Sequence, residues 1–534
     1  MKFSRRFRAI LWLSCLLWLA QGCKRGTDPA SAPISKPSLR LYALSTLAGA
    51  LEPCGCVSDM LGGLDHAAAL LDAGGSEAGG SLLVAAGPLF FEDPEIEARA
   101  RVQARWKAGA IAASLRAMKL VAWAPGANDW ADGAAGFREL KEQAGAVAVA
   151  ANLRAAGEPF AATRVIQAGG YRVGIAGISE PKHDRGAPDA VAMSDVEAAA
   201  RDALGALKKE GAPIRLLLAA IGRGEALRLV ERVQGFHLMV LGKPYDRGQV
   251  NDEPIPAVRV GETLVIQAPN HGQGIAIVDL FVEDGDFRFA DGTGLEALER
   301  RASLERRIER LERRIAAAAS NGAKQSDIDA RRSDVAELRD ELGSLREPVA
   351  PRDGSFFRYR LIPVRESAGR DASVAARFQS YYRRVNEHNK KAFADHAPPE
   401  PGPGQSRYVG SAACGGCHIE ALAFWDQTRH ATAYASLSEQ HKEYNLDCVG
   451  CHVTGYEKPG GSTVTFVDKL KSVQCEVCHG PGSRHIGDPA DKALMVLAPE
   501  RTSCASECHH PPHVHDDWNV GEAWKKIIGP GHGR

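Results

Sequence analysis

Cys414-Gly415-Gly416-Cys417-His418, Cys448-Val449-Gly450-Cys451-His452 and Cys475-Glu476-Val477-Cys478-His479 repeat one pattern, Cys-x-x-Cys-His, three times. Two thiols at that spacing can add to the two vinyl groups of a porphyrin while the adjoining imidazole reaches the iron, so the pattern is that of covalent haem attachment. A disulfide framework or zinc ribbons would explain the paired cysteines, but not a histidine directly after each second one. A fourth cluster, Cys504-Ala505-Ser506-Glu507-Cys508-His509, has three residues between its cysteines and reads either as a fourth haem site or as a Cys504–Cys508 disulfide. The expected cofactor is therefore haem c, four copies or at least three. Eight of the 12 cysteines and 11 of the 17 histidines fall after residue 407. At about 32 residues per haem this segment cannot enclose each one separately, and the porphyrins must form much of its core.

Seven histidines of the same segment lie outside the motifs: His430, His441, His485, His510, His513, His515 and His532. The candidate distal iron ligands among them are His430, His485 and His532, in the contexts Thr428-Arg429-His430-Ala431, Gly482-Ser483-Arg484-His485 and Gly531-His532-Gly533. These contexts, with Tyr408-Val409-Gly410-Ser411, Gly455-Tyr456, Pro459-Gly460-Gly461 and His479-Gly480-Pro481-Gly482, resemble the cytochrome c-554 family of tetrahaem proteins over about residues 407–534. The resemblance implies a mainly helical shell around packed haems that relay single electrons. It makes His418, His452, His479 and His509 the proximal ligands, and matches His430 to the family's Thr-x-His-Ala ligand. It further implies that one iron, that of the His452 haem, can be five-coordinate and open to a small nitrogen compound. The three-residue spacing at Cys504 departs from the family pattern.

Upstream, Pro398-Pro399-Glu400-Pro401-Gly402-Pro403-Gly404 reads as a linker, preceded by a strand at Phe356 to Val364 and a helix near Ser373 to Phe393. Between residues 294 and 346 the composition turns to Glu, Arg and Leu. Leu304, Ile308, Leu311 and Ile315 step by heptad intervals, as do Val335, Leu338, Leu342 and Leu345. Turn residues from Ser320 to Ser326 between the two seams predict a coiled-coil hairpin within one chain rather than a dimerising zipper.

From Leu39 to Val282, apolar runs at Leu82 to Ala86, Val147 to Ala151, Tyr171 to Ala176, Ile214 to Ala220 and Leu238 to Leu241 alternate with helical patterns such as Glu95 to Met118. That alternation predicts an α/β layer fold. With Leu51-Glu52-Pro53, Gly62-Gly63-Leu64 and Val149 to Leu153, residues 38–293 resemble the calcineurin-like metallophosphatase domain of 5′-nucleotidases, an α-β-β-α sandwich. The family's metal ligands map onto Thr46-Leu47-Ala48, Gly87-Pro88, Gly126-Ala127-Asn128-Asp129, Ala220, Pro244 and Asp246. Thr, Ala and Pro cannot hold the cations a two-metal hydrolase needs, so the domain is expected to be catalytically dead, with Asn128, Asp129 and His271 as remnants. Cys54-Gly55-Cys56, near Asp59 and His66, suits metal chelation, redox cycling or a structural disulfide.

At the amino terminus, four cations precede an apolar run from Ala9 to Ala20 and the sequence Leu19-Ala20-Gln21-Gly22-Cys23. This is a signal peptide with a lipoprotein-like end, lipidated at Cys23, followed by a small polar tether over residues 24–37. Lys24 after the cysteine leans toward the outer membrane. Lys plus Arg and Asp plus Glu both number 66, which gives no electrostatic case for a nucleic-acid partner. The expectation is an exported, membrane-anchored multihaem electron carrier with redox partner proteins, its metallophosphatase-like domain serving docking or recognition. A haem oxidoreductase acting on a small nitrogen or sulfur oxyspecies, or a residual phosphohydrolase, are the alternatives.

Overall fold

The computed structural model describes residues 36–53, 59–155, 160–180, 191–246, 254–320, 324–345, 351, 353–510, 514 and 518–529. The signal segment with Cys23, the Cys54-Gly55-Cys56 motif, and His513, His515 and His532 lie outside the described residues.

Apolar runs buried on both faces make the first sheet. Its strands are β1 (Leu39–Ser45), β2 (Ser81–Gly87), β3 (Leu120–Pro125) and β4 (Val147–Ala148), paired in parallel in that order. A short antiparallel pair, β5 (Leu153–Ala155) and β8 (Val191–Met193), stands apart. The second sheet contains β6 (Thr163–Ala168), β7 (Tyr171–Ser179), β9 (Ile214–Ala220), β10 (Leu238–Leu241), β11 (Val258–Val260) and β12 (Thr263–Ile266), in the order β11-β12-β10-β9-β7-β6. The chain then returns to the first sheet through β13 (Gly274–Phe281), antiparallel to β1, and β14 (Ala290–Asp291). Strand β15 (Phe356–Pro363) pairs antiparallel with β13 along its whole length. This strand, read from sequence as part of a connecting segment, thus belongs to the sheet of the amino-terminal body.

Side chains alternate across each strand, and the alternation sorts the core into layers. Leu39, Leu41, Leu82 and Val84 meet Val173, Ile175, Leu216 and Val240 between the two sheets. The opposite faces carry helices. On the first sheet these are α1 (Leu64–Gly75), α2 (Arg101–Ala117) and α3 (Gly133–Ala144). On the second they are α4 (Val196–Lys209) and α5 (Arg223–Arg232), which cover Leu217 and Met239. The result is an α-β-β-α sandwich. Local chemistry sets the helix ends: Asp195 accepts from the Ala198 N–H at the start of α4, and Gly145 takes φ 63° at the end of α3. The pattern from Glu95 becomes α-helix only at Arg101, because Glu97 is extended and one 3₁₀ turn, Ala98–Ala100, intervenes. The sheets approach closely at Gly242, where an added Cβ would lie 2.0 Å from the Ala86 carbonyl oxygen.

Between β14 and β15 the chain forms α6 (Leu295–Ser320) and α7 (Gln325–Ser344). All eight heptad residues pack into one cluster, and Arg300–Glu341 and Glu312–Arg339 pairs bind the helices. After β15, α8 (Ala372–Ala392), capped by the Asp371 carboxylate on the Val374 N–H at 2.8 Å, lays Val374, Phe378, Tyr381, Tyr382 and Val385 into the helical side of the first sheet.

Candidate haem-attachment site

The carboxy-terminal segment is built of short pieces: α9 (Ser411–Cys414), α10 (Ile419–Trp425), α11 (Ala433–Ser438), α12 (Cys475–His479), α13 (Ser483–Gly487), α14 (Thr502–Glu507) and α15 (Val520–Lys525). Its own apolar core is small, centred on Phe393, Tyr434, Val449, Val453, Val464 and Val467. Among the described residues seven large apolar side chains are exposed, and five of them, Ile419, Phe466, Ile486, Val496 and Leu497, belong to this segment. Polypeptide alone leaves apolar surface bare around the motifs, which is what porphyrin faces would cover.

The loops are pinned by polar side chains rather than by packing. The buried Glu476 carboxylate, inside the third motif, accepts from the Val409, Gly410 and Gly482 N–H groups, drawing the segments before the first motif and after the third together. Gln474 adds the Ser411 N–H at 2.6 Å.

All eight cysteines are unbridged thiols, Cys504 and Cys508 included. Cysteines of different motifs meet: Cys414 bonds Cys475, Cys508 bonds Cys451, and Cys478 lies within electrostatic reach of Cys504. The Cys414 contact holds the Cys475 thiol down to about 7, whereas burial pushes Cys478 up to about 11.

Imidazole placement fits iron. His452 Nδ1 lies 2.5 Å from the Ala433 carbonyl oxygen and His479 Nδ1 lies 2.6 Å from that of Val496. A ring that donates through Nδ1 keeps its lone pair on Nε2, the arrangement a metal-ligating histidine uses. His509 stacks on Trp518 at 4.9 Å, and its centroid is 6.2 Å from that of His430. Two imidazoles on opposite sides of one metal, with metal–nitrogen bonds of about 2.0–2.1 Å, place their centroids roughly 6 Å apart, so this pair has the required span. Burial and the neighbouring His509 lower the His430 pKa, favouring the neutral, ligating form. His485 has a buried Nδ1 without a hydrogen-bond partner. His418 is exposed at the start of α10, and His441 is exposed at φ 57°.

Of the residues matched in sequence to metallophosphatase ligands, Asp129, Asn128 and Thr46 hold the backbone. Asp129, fully buried, accepts from the Leu89, Phe90 and Gly126 N–H groups at 2.7, 3.0 and 3.0 Å. Burial raises its pKa to about 7, against the pull of those three bonds. Asn128 donates to the Glu92 and Tyr245 carbonyls, and Thr46 Oγ1 to the Lys243 carbonyl at 2.9 Å. His271, at φ 55°, packs edge-on against Tyr245. Asp59 pairs with Arg365, and His66 Nδ1 contacts the Gly369 carbonyl. Among the described residues, no group of three or more His, Cys, Asp or Glu side chains is placed to hold a metal ion. Nor is any described helix long and apolar enough to cross a membrane.

One set of residues went unread in the sequence. Residues 442–447, just before the second motif, dock on the amino-terminal body through buried polar groups. Gln103 on α2 donates to Asn445 at 3.0 Å and accepts from Asn389 on α8 at 2.9 Å and from the Leu446 N–H at 3.0 Å. Lys107 pairs with Asp447 at 3.0 Å, and Lys442 reaches Glu52 while lying over the Tyr382 ring. Buried amides leave no periodic signal, so only the fold could find them.

Residues 413–480 match the family described as cytochrome c554 and c-prime. Cytochrome c-554 of Nitrosomonas europaea is 36% identical over 97 residues, covering 15% of this chain and 41% of that relative, so the chain spans less than half of its length. Among solved structures, the chain is similar to a 5′-nucleotidase precursor from Thermus thermophilus, with 18% identity, a TM-score of 0.45, and coverage of 68% of this chain and 61% of that one. It is also similar to the sulfate thiohydrolase SoxB of Thermus thermophilus, with 14% identity, a TM-score of 0.44, and coverage of 67% and 62%.

Proposed function

We propose that this protein is an exported multihaem c-type cytochrome that passes single electrons between redox partner proteins through four covalent haems, three at the least. The observation that carries the reading is the sequence of cysteine contacts: the first motif touches the third, the third lies near the fourth, and the fourth touches the second. Haems attached at points so close would lie near one another, as a relay requires. Bound haem c supplies one-electron iron chemistry. The chain's part is to hold it. His452 and His479 are oriented by carbonyls and His509 is fixed by Trp518; with His430 6.2 Å away, the two imidazoles would hold one iron between them and close it to substrate. His418 completes the proximal set, with His485 and His532 as further distal candidates.

The amino-terminal body is in this reading a catalytically silent metallophosphatase relative that docks the relay. Asn128, Asp129 and Thr46 are committed to backbone partners, and their neighbours Ala48, Pro88 and Pro244 offer no ligand atoms. The signal-like amino terminus and Cys23 support a periplasmic, lipid-anchored location in this reading.

A pyridine haemochrome assay with intact mass, on protein from a strain competent in cytochrome c maturation, tests the reading. Four covalent haems whose reduced spectrum ignores CO are expected. Fewer than three would overturn it. A CO-sensitive fraction would move the reading to a haem oxidoreductase at the His452 site, and metal-dependent phosphatase turnover would refute the silent body.

A further inference from the structure

A cleft of about 560 Å³ opens among α2, α3 and α8, on the helical layer of the sandwich and away from the corresponding metal positions. Its size is that of a small-molecule pocket, for which about 300–1,000 Å³ is usual. The small residues Gly109, Ala110, Ala113 and Gly136 leave room for it, and Trp106, Leu140 and Tyr381 wall it. A cleft lined by aromatic side chains suits a flat body.

Its charge is selective as well. Arg105 at the rim is occupied by Asp132 at 2.8 Å and Glu139 at 3.2 Å. Arg377 and Arg384 also line the cleft; Arg377 donates to the Ser373 carbonyl at 2.6 Å and lies within electrostatic reach of Asp371, whereas Arg384 is held by no ion pair among the described residues. Arg384 lies 3.8 Å from the Trp106 ring centroid, so a guanidinium and an indole are already stacked at the entrance. The inner wall adds a connection: Tyr381 is buried, and its phenol end faces Asn445, Asp447 and Cys448 of the second attachment segment.

We propose that this cleft is a binding site for a planar organic anion, laid against the Trp106–Arg384 stack with its acidic group on Arg384. An occupant would sit one tyrosine away from the second attachment segment, which gives the silent body a ligand of its own beside the relay.

The test is calorimetric titration of the full chain, as isolated, with anthraquinone-2,6-disulfonate, a planar dianion. One saturable site is expected, with inorganic sulfate at equal concentration failing to compete. Arg384→Glu and Trp106→Ala should each weaken binding tenfold or more. Arg310→Glu, on exposed α6, should leave it unchanged. The absence of saturable binding, equal competition by sulfate, or affinity unmoved by Arg384→Glu would each overturn the proposal. Haem counting on the same sample is a separate readout, so a failure of the relay reading would not be mistaken for a failure of this site.

Discussion

Gln103→Leu is the sharpest probe of how the haem-bearing segment is held. The Gln103 amide makes three bonds, two of them across the seam to Asn445 and Leu446 and one to Asn389 on α8, and all three are lost in the variant. Two partners keep something: Asn445 Oδ1 still accepts from the Asp447 N–H at 2.9 Å, and Asn389 still donates to the Tyr444 carbonyl at 2.8 Å. The Leu446 N–H is left without its acceptor. The two hydrogen bonds that cross the seam, at about 0.5–1.5 kcal/mol each and one of them leaving a group stranded, come to roughly 1–3 kcal/mol of docking energy, with leucine filling most of the volume. At tenfold per 1.4 kcal/mol this accelerates local opening by roughly 5- to 140-fold. Hydrogen exchange at residues 442–453, read by mass spectrometry, should show that acceleration while β1, β2 and β9 keep their protection. Acceleration below threefold would refute the reasoning, because the seam would then owe its stability to other contacts. Uniform acceleration over the whole chain would refute it too, placing Gln103 in the fold rather than the docking.

Gly242→Ala should destabilise the sandwich by several kcal/mol, since a Cβ 2.0 Å from the Ala86 oxygen forces the sheets apart, whereas Gly205→Ala, in helix α4 with open space around it, should stabilise by about 0.5–1 kcal/mol; thermal unfolding of both variants checks the contrast. His237 is held neutral, its pKa lowered to about 3 by burial and then by Arg215. The unfolded state therefore binds a proton that the folded state refuses between pH 6.5 and about 3, and stability falls as pH drops through that window by at most about 1.4 kcal/mol per unit from this residue. His237→Asn should flatten that part of a denaturant-midpoint profile, and an unchanged slope would remove His237 as its source. Arg40→Met takes from the buried Asp279 the two bonds that Arg40 makes at 2.6 and 3.0 Å and leaves it only Arg360 at 3.0 Å, and chemical denaturation should register a loss of about 1.5–3 kcal/mol.

What the sequence made legible follows from what repeats. Strands such as Ile214–Ala220 and Leu238–Leu241 are apolar runs because both of their faces are covered, and the heptad residues of α6 and α7 announce their cluster by spacing alone. The haem motifs are legible because chemistry fixes their spacing. Nothing local announces that Phe356–Pro363 will pair with Gly274–Phe281 across an inserted pair of helices, since a strand reads the same wherever it docks. The contacts Gln103–Asn445 and Gln103–Asn389 span 342 and 286 residues, and in sequence these amides are indistinguishable from surface ones. Asp129 was legible only as a remnant of a metal site. Its present work, holding the turn after β2 by two backbone amides, depends on burial that no pattern encodes.

The return of β15 to the first sheet has a consequence for how this chain divides. The 26 and 20 residues of α6 and α7 leave the sandwich from β14 and come back as β15, so they form a side branch, about 39 Å long at 1.5 Å per residue, on a body whose two ends are sewn together. A protease that cuts between the two helices would sever the backbone without separating the products, because eight paired residues of β13 and β15 still hold them. The amino-terminal body is likewise incomplete until residues 356–392 have emerged. In a chain delivered from its amino terminus, that completion falls before the first Cys-x-x-Cys-His motif arrives, so the cofactor-bearing segment meets a finished surface.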